Sequence, residues 1–163
     1  MQEINTSTAT KNRYFSFDYF RAIDTIFVPN QHLQLMWSDH QKALMQAKID
    51  ARHYSRELIR DVFQATEHFP KNDPEHIAPQ LRKKVLTVSS FLAHGTVKTS
   101  SDEQKEALLV VMSELREVLK FITIAHHLRY ASDLEKHKVR TGITNLINSL
   151  DKLAILLGGF DKK

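Results

Sequence analysis

Residues 132–160 read SDLEKHKVRTGITNLINSLDKLAILLGGF, and this stretch decides the fold class. It opens on Ser132-Asp133-Leu134-Glu135, a capping box: the serine hydroxyl and the glutamate three residues on satisfy amides that a first helical turn leaves without partners. Val139, Ile143, Leu146, Ile147, Leu150, Leu153, Ala154 and Leu157 then recur at steps of three and four, which lines them along one side of a helix. Gly158 and Gly159 end it, because glycine takes the left-handed conformation that terminates helices. Gly142 lies inside the helix. It either admits a neighbouring helix closely or is tolerated at an exposed site, at about 1 kcal/mol relative to alanine.

Working upstream, the same grammar repeats. Ser101-Asp102-Glu103-Gln104 reads as a capping box ahead of Leu108, Val111, Met112, Leu115, Val118, Leu119, Ile122 and Leu128. Asp73-Pro74 predicts a helix start with Asp73 as N-cap and Pro74 first in the helix. Ile77, Leu81, Val85, Val88 and Leu92 form its apolar line, and Gly95 is the expected residue just past its end. Ser38-Asp39-His40-Gln41 is a further capping box, followed by Leu44, Ala47, Ala51, Tyr54, Leu58, Val62, Ala65 and Phe69. Leu33 to Trp37 could extend that helix upstream. Short connections between such helices imply antiparallel neighbours. Tyr14 to Val28 adds a short aromatic helix, ended by Pro29-Asn30, that packs either on the bundle or on another subunit or partner. The expectation is an all-α chain, an antiparallel up-down four-helix bundle with an extra N-terminal helix. It divides into an N-terminal extension (1–37), the bundle (38–160) and a basic tail (161–163).

The totals agree. A chain of 163 residues with 42% hydrophobic content suits one domain with one core. Four glycines and four prolines are few for a turn-rich β fold. The absence of cysteine removes disulfides and thiolate metal sites and fits a reducing compartment. No apolar run approaches the roughly 20 residues that span a bilayer, and the N-terminus lacks an apolar signal core. A soluble, cytoplasmic protein without a membrane partner is expected.

Catalytic and metal motifs are not legible. A di-iron bundle needs Glu-x-x-His pairs, and no glutamate here has histidine three residues on. His126 and His127 are adjacent and so face different directions on a helix. Helical-bundle ribonucleases carry arginine, four to six residues, then histidine, and no arginine here has that spacing. Phosphate-binding glycine loops and Gly-x-Ser-x-Gly are also absent. No catalytic residue, metal or cofactor is assigned.

Basic residues are the remaining candidates. The formal charge is +4 and the isoelectric point near 9.3. Arg52, Arg56 and Arg60 recur every four residues; Arg82, Lys83 and Lys84 form a compact cluster; Lys136, Lys138 and Arg140 form another; Lys162 and Lys163 end the chain. Such groups on rigid helices can contact phosphates or an acidic partner without reading bases. They equally serve as the solvated face every bundle helix needs.

Glu67-His68-Phe69-Pro70-Lys71, then Gln80-Leu81-Arg82-Lys83-Lys84, then Val88 to Gly95 resemble the four-helix-bundle family of rRNA intervening-sequence proteins. That family shows a Phe-Pro-Lys loop, a Gln-Leu-Arg helix start and an Asn-Ile-Ala-Glu-Gly close; Phe91 and His94 stand here for its Asn and Glu. The ending Leu153 to Phe160 is similar to the Leu-Leu-Gly-Gly-Trp ending of the related accessory variability determinants (Avd) of diversity-generating retroelements, with Phe160 for Trp. The resemblance spans about residues 40–160. It implies a bundle fold, a homo-oligomer (a pentamer), and a non-enzymatic accessory that binds reverse transcriptase and structured template RNA during mutagenic cDNA synthesis. Membership in the intervening-sequence branch instead implies a protein-interaction module without a nucleic-acid role.

Overall fold

The structure, a computed structural model, describes residues 38–160. Four helices occupy them: α1 (Asp39–Ala65), α2 (Ile77–Thr96), α3 (Ser101–His127) and α4 (Asp133–Leu156). Each packs on two neighbours, α1 with α2 and α4, α3 with α2 and α4, the closest partnerships being α2 with α3 and α1 with α4. This is an all-α, up-down four-helix bundle. The expected helix over Tyr14–Val28, the extension over Leu33–Trp37 and the tail Lys162-Lys163 lie outside the described residues.

One spacing builds the core. Ala51, Ser55, Leu58, Val62 and Ala65 of α1 are buried at steps of four, three, four and three. Leu81, Val85, Val88, Leu92 and Gly95 of α2 repeat that pattern 30 residues on, and Val111, Leu115, Val118, Ile122 and Ala125 of α3 repeat it again. A mean step of 3.5 keeps the buried seam facing the bundle axis as the helices wind gently around one another. Val139, Ile143, Leu146, Leu150 and Leu153 of α4, with Leu157 just past its end, close the core.

The helix ends show where local chemistry acts. The boxes at Ser38 and Ser132 form: Ser38 Oγ accepts from the Gln41 amide at 3.2 Å and Gln41 Oε1 from the Ser38 amide at 2.9 Å. Ser132 and Glu135 exchange the same bonds at 3.2 and 2.7 Å. The box expected at Ser101 does not form. Ser100 is the N-cap, so Gln104 falls one residue beyond the capping position; it is buried, and its amide donates to the Lys98 carbonyl at 2.7 Å. The start of α2 also shifts. Asp73 is buried, and its carboxylate accepts from the amides of Glu75 (3.1 Å) and Ile77, capping the helix across an intervening turn in which His76 is left-handed at φ 51°. Pro79 therefore falls third in α2, where no intrahelical bond needs its missing N–H.

Gly95 does not end α2. It is buried inside the helix, and a Cβ built on it would stand 2.4 Å from Ala107 Cβ, so glycine lets α2 and α3 touch. Gly142 does the same between α4 and α1: its Cβ would lie 3.2 Å from Leu58 Cδ1 and 3.9 Å from Leu58 Cα. The α4 terminus is a Schellman turn, with the Gly159 amide on the Ala154 carbonyl (2.8 Å) and Gly158 on Ile155 (3.1 Å). α3 ends with the same turn, Tyr130 on Ala125 (2.8 Å) and Arg129 on His126 (3.0 Å), but Arg129 occupies the left-handed position at φ 61°.

Candidate functional site

The basic residues do not share one surface. Arg52 turns into the α1–α2 seam, where Nε and a terminal nitrogen donate to Thr96 Oγ1 at 3.1 and 2.6 Å. Arg82 reaches across the same seam in the opposite direction: Nε donates to Thr66 Oγ1 at 2.7 Å, a terminal nitrogen to the Thr66 carbonyl at 3.2 Å, and the guanidinium lies 5.1 Å from the Phe63 ring centre. Each threonine meanwhile donates its own hydroxyl to the preceding turn, Thr66 to Val62 and Thr96 to Leu92, both at 2.8 Å. The arginine of either helix thus fastens the C-terminal turn of the other. Each threonine follows the arginine of its own helix by fourteen residues, so the two clasps form a reciprocal pair. A guanidinium is suited to this, offering several donors in a fixed fork. Arg56 is half-buried on the same helix and also engaged.

The other candidates divide. Lys84 pairs with Glu114 of α3 at 2.9 Å, both partners half-buried. Lys138 crosses to α1, 3.1 Å from Asp61 Oδ1 and 2.9 Å from Gln64 Oε1, with Asp61 almost fully buried. Lys136 turns the other way, to His126 Nδ1 of α3 at 3.3 Å, while His126 Nε2 meets Asp133 at 2.8 Å. Arg60 pairs with Glu57 on its own helix. Lys83 and Arg140 stand exposed, and Arg140 lines an open cleft with Asp133, Lys136 and His137. Burial, and then the neighbouring Arg52 guanidinium, hold the Lys48 ammonium below the usual lysine range.

The threonine and carboxylate partners escaped the sequence reading. A signal existed for the clasps, since arginine followed by threonine fourteen residues later occurs at Arg52/Thr66 and Arg82/Thr96. Nothing local marks Asp61 or Glu114 as partners of lysines on other helices. Large apolar side chains also face outward on each helix: Ile49 and Phe63 on α1, Phe91 on α2, Leu109 and Val110 on α3, Leu134 and Ile155 on α4. Among the described residues no group of three or more His, Asp or Glu is gathered to hold a metal ion, and no helix is long and apolar enough to cross a membrane.

A search of the curated proteins finds no match to the chain. Residues 47–152 match the family described as 23S rRNA-intervening sequence protein. That span takes in most of α1, all of α2 and α3, and nearly all of α4. With the match extending over well more than half of the sequence, the chain belongs to the 23S rRNA-intervening sequence protein family.

Proposed function

We propose that this bundle is a non-catalytic protein-interaction module. One contrast carries the reading. Five of the nine candidate basic residues (Arg52, Arg82, Lys84, Lys136 and Lys138) are bonded to other helices of the same bundle, whereas Leu134 and Ile155 are 75% and 72% exposed although the core is already complete without them. Outward apolar side chains on rigid helices gain free energy when another protein covers them. Lysines and arginines already committed internally contribute little to a phosphate-tracking surface.

Site-specific photocrosslinking in cells tests this. A photoreactive phenylalanine analogue replaces Phe91, Leu109 or Ile155, and in parallel Lys83 or Arg140. Protein adducts are expected from at least one apolar position. Adducts to RNA alone, or none from any apolar position, would refute the reading.

A second, finer reading assigns the chain to reverse transcriptase and structured RNA as an Avd-like accessory, working as a homo-oligomer such as a pentamer. Its support is the exposure of Lys83 and Arg140, whose charges no described residue neutralises. Symmetry would multiply such contacts. RNA binding should then fall steeply with salt and be lost on Lys83→Glu with Arg140→Glu, a pair that spares the inter-helix bonds. Charge reversal at Arg82 would confound the test by breaking a clasp.

A further inference from the structure

The seam between α1 and α4 contains a polar cleft of about 180 Å³ lined by Asp50, Tyr54, Asn145, Asn148, Ser149 and Lys152. We infer that this cleft binds a small zwitterion, an α-amino acid, with its ammonium on Asp50 and its carboxylate on Lys152.

The first observation is internal. Acid on α1 faces base on α4 twice along this seam. At one level Asp61 and Lys138 close on each other at 3.1 Å. At the other, Asp50 and Lys152 line the same cleft without forming an ion pair. Two opposite charges facing one small space, neither neutralising the other, are complementary to a molecule carrying both charges a few ångströms apart. Asp50 accepts one hydrogen bond, from Gln46 Nε2 at 2.7 Å, which orients the carboxylate and leaves it further acceptor positions.

The second observation concerns the neutral groups. Ser149 is 4% exposed, and its buried Oγ has no hydrogen-bond partner. The Tyr54 hydroxyl and the side-chain amides of the exposed Asn145 and Asn148 form no hydrogen bond among the described residues. A buried hydroxyl left without a partner is unfavourable; Ser149 Oγ has almost no accessible surface, so it meets a ligand oxygen only on turning about χ1 toward the cleft, and that turn would satisfy it. A carboxylate beside Lys152 has the lone pairs to accept from Ser149 and an asparagine amide as well.

Size restricts the ligand. A cavity of about 150 Å³ takes a benzene ring, so the walled part of this cleft, which is open to solvent on one side, matches one compact molecule. Amino acids with small side chains (glycine, alanine or serine) fit best.

The experiment uses the full chain, isotopically labelled, with L-alanine as probe and N-acetyl-L-alanine and L-alanine amide as analogues lacking one charge each. Saturable NMR shifts at the Asn148 and Ser149 amides are expected with alanine. Each analogue should bind about tenfold or more weakly, the ratio expected for one lost charge-assisted hydrogen bond. Asp50→Asn and Lys152→Met should each weaken alanine to the same extent with helix content and melting temperature unchanged, since neither side chain belongs to the core. No saturable shift with alanine or glycine at millimolar concentration, or N-acetyl-alanine binding as tightly as alanine, would overturn the assignment and leave the cleft as a hydrated groove.

Discussion

Replacing Arg82 with methionine tests the reciprocal clasps. Methionine keeps most of the aliphatic stem and removes the two bonds to Thr66 and the contact with Phe63. Hydrogen bonds from a charged group contribute about 1.5–3 kcal/mol when buried, and a cation near a ring on a partly exposed surface about 0.5–1 kcal/mol. Arg82 is only half-buried, which discounts the first figure. Thr66 Oγ1 keeps its donation to Val62, so no buried donor is stranded. The net loss should be about 2 kcal/mol, a fall of about 4–8 °C in melting temperature for a chain of this size. Urea unfolding followed by far-ultraviolet circular dichroism measures it. A double-mutant cycle with Thr66→Val isolates the pair and should return a coupling of about 1 kcal/mol. The matching cycle with Arg52→Met and Thr96→Val should give a similar value. The clasps are separated by fourteen residues, about 21 Å along a helix, so the two losses should add. A loss below about 0.3 kcal/mol at Arg82, with coupling indistinguishable from zero, would show that the bonds do not hold the hairpin.

Three further outcomes follow from the packing. Gly95→Ala should destabilise by about 1–3 kcal/mol despite alanine's better helix propensity, because the new methyl overlaps Ala107; thermal melts measure the loss, and adding Ala107→Gly should recover much of it. Arg129→Gly should stabilise by about 1 kcal/mol by relieving a left-handed backbone at φ 61° that disfavours a side chain, read by the same melts. Lys48→Met should raise stability at pH 7. Burial lowers the Lys48 pKa in the folded state, so its protonated form is penalised below that pKa, and the penalty fades as pH rises toward 10.5, the ordinary lysine value. The advantage of the methionine variant should therefore shrink across alkaline pH, and an advantage constant to pH 11 would contradict the assignment.

The helices were legible because their information is local. Steps of three and four and two working serine caps delimit α1 and α4 with no knowledge of neighbours. Gly95 was misread because a glycine near a helix end has two uses, a left-handed terminus or room for another backbone, and only Ala107 on α3 decides between them. The arginines of α1 show the same limit. Residues four apart drift by about 40° around a helix, so Arg52 enters the α2 seam while Arg60 reaches solvent beside Glu57. Sequence spacing groups them, and the neighbouring helix separates them. The cleft at Asp50 and Lys152 was invisible for a related reason: its two walls lie about a hundred residues apart and neither is unusual alone.

The shared 4-3-4-3 spacing of α1, α2 and α3 has an awkward side. Oily positions that recur every seventh residue cannot tell a correctly seated rod from one slid along by two turns, since the knobs find equivalent holes. Uniqueness must come from singular features that do not recur: the bare backbone of Gly95 against Ala107, the notch of Gly142 under Leu58, and two arginine hooks aimed at two hydroxyls. These act as the pins of a lock whose barrel would otherwise turn freely. Changes that fill the notches or blunt the hooks should yield proteins still helical and still collapsed, but no longer agreed on a single alignment.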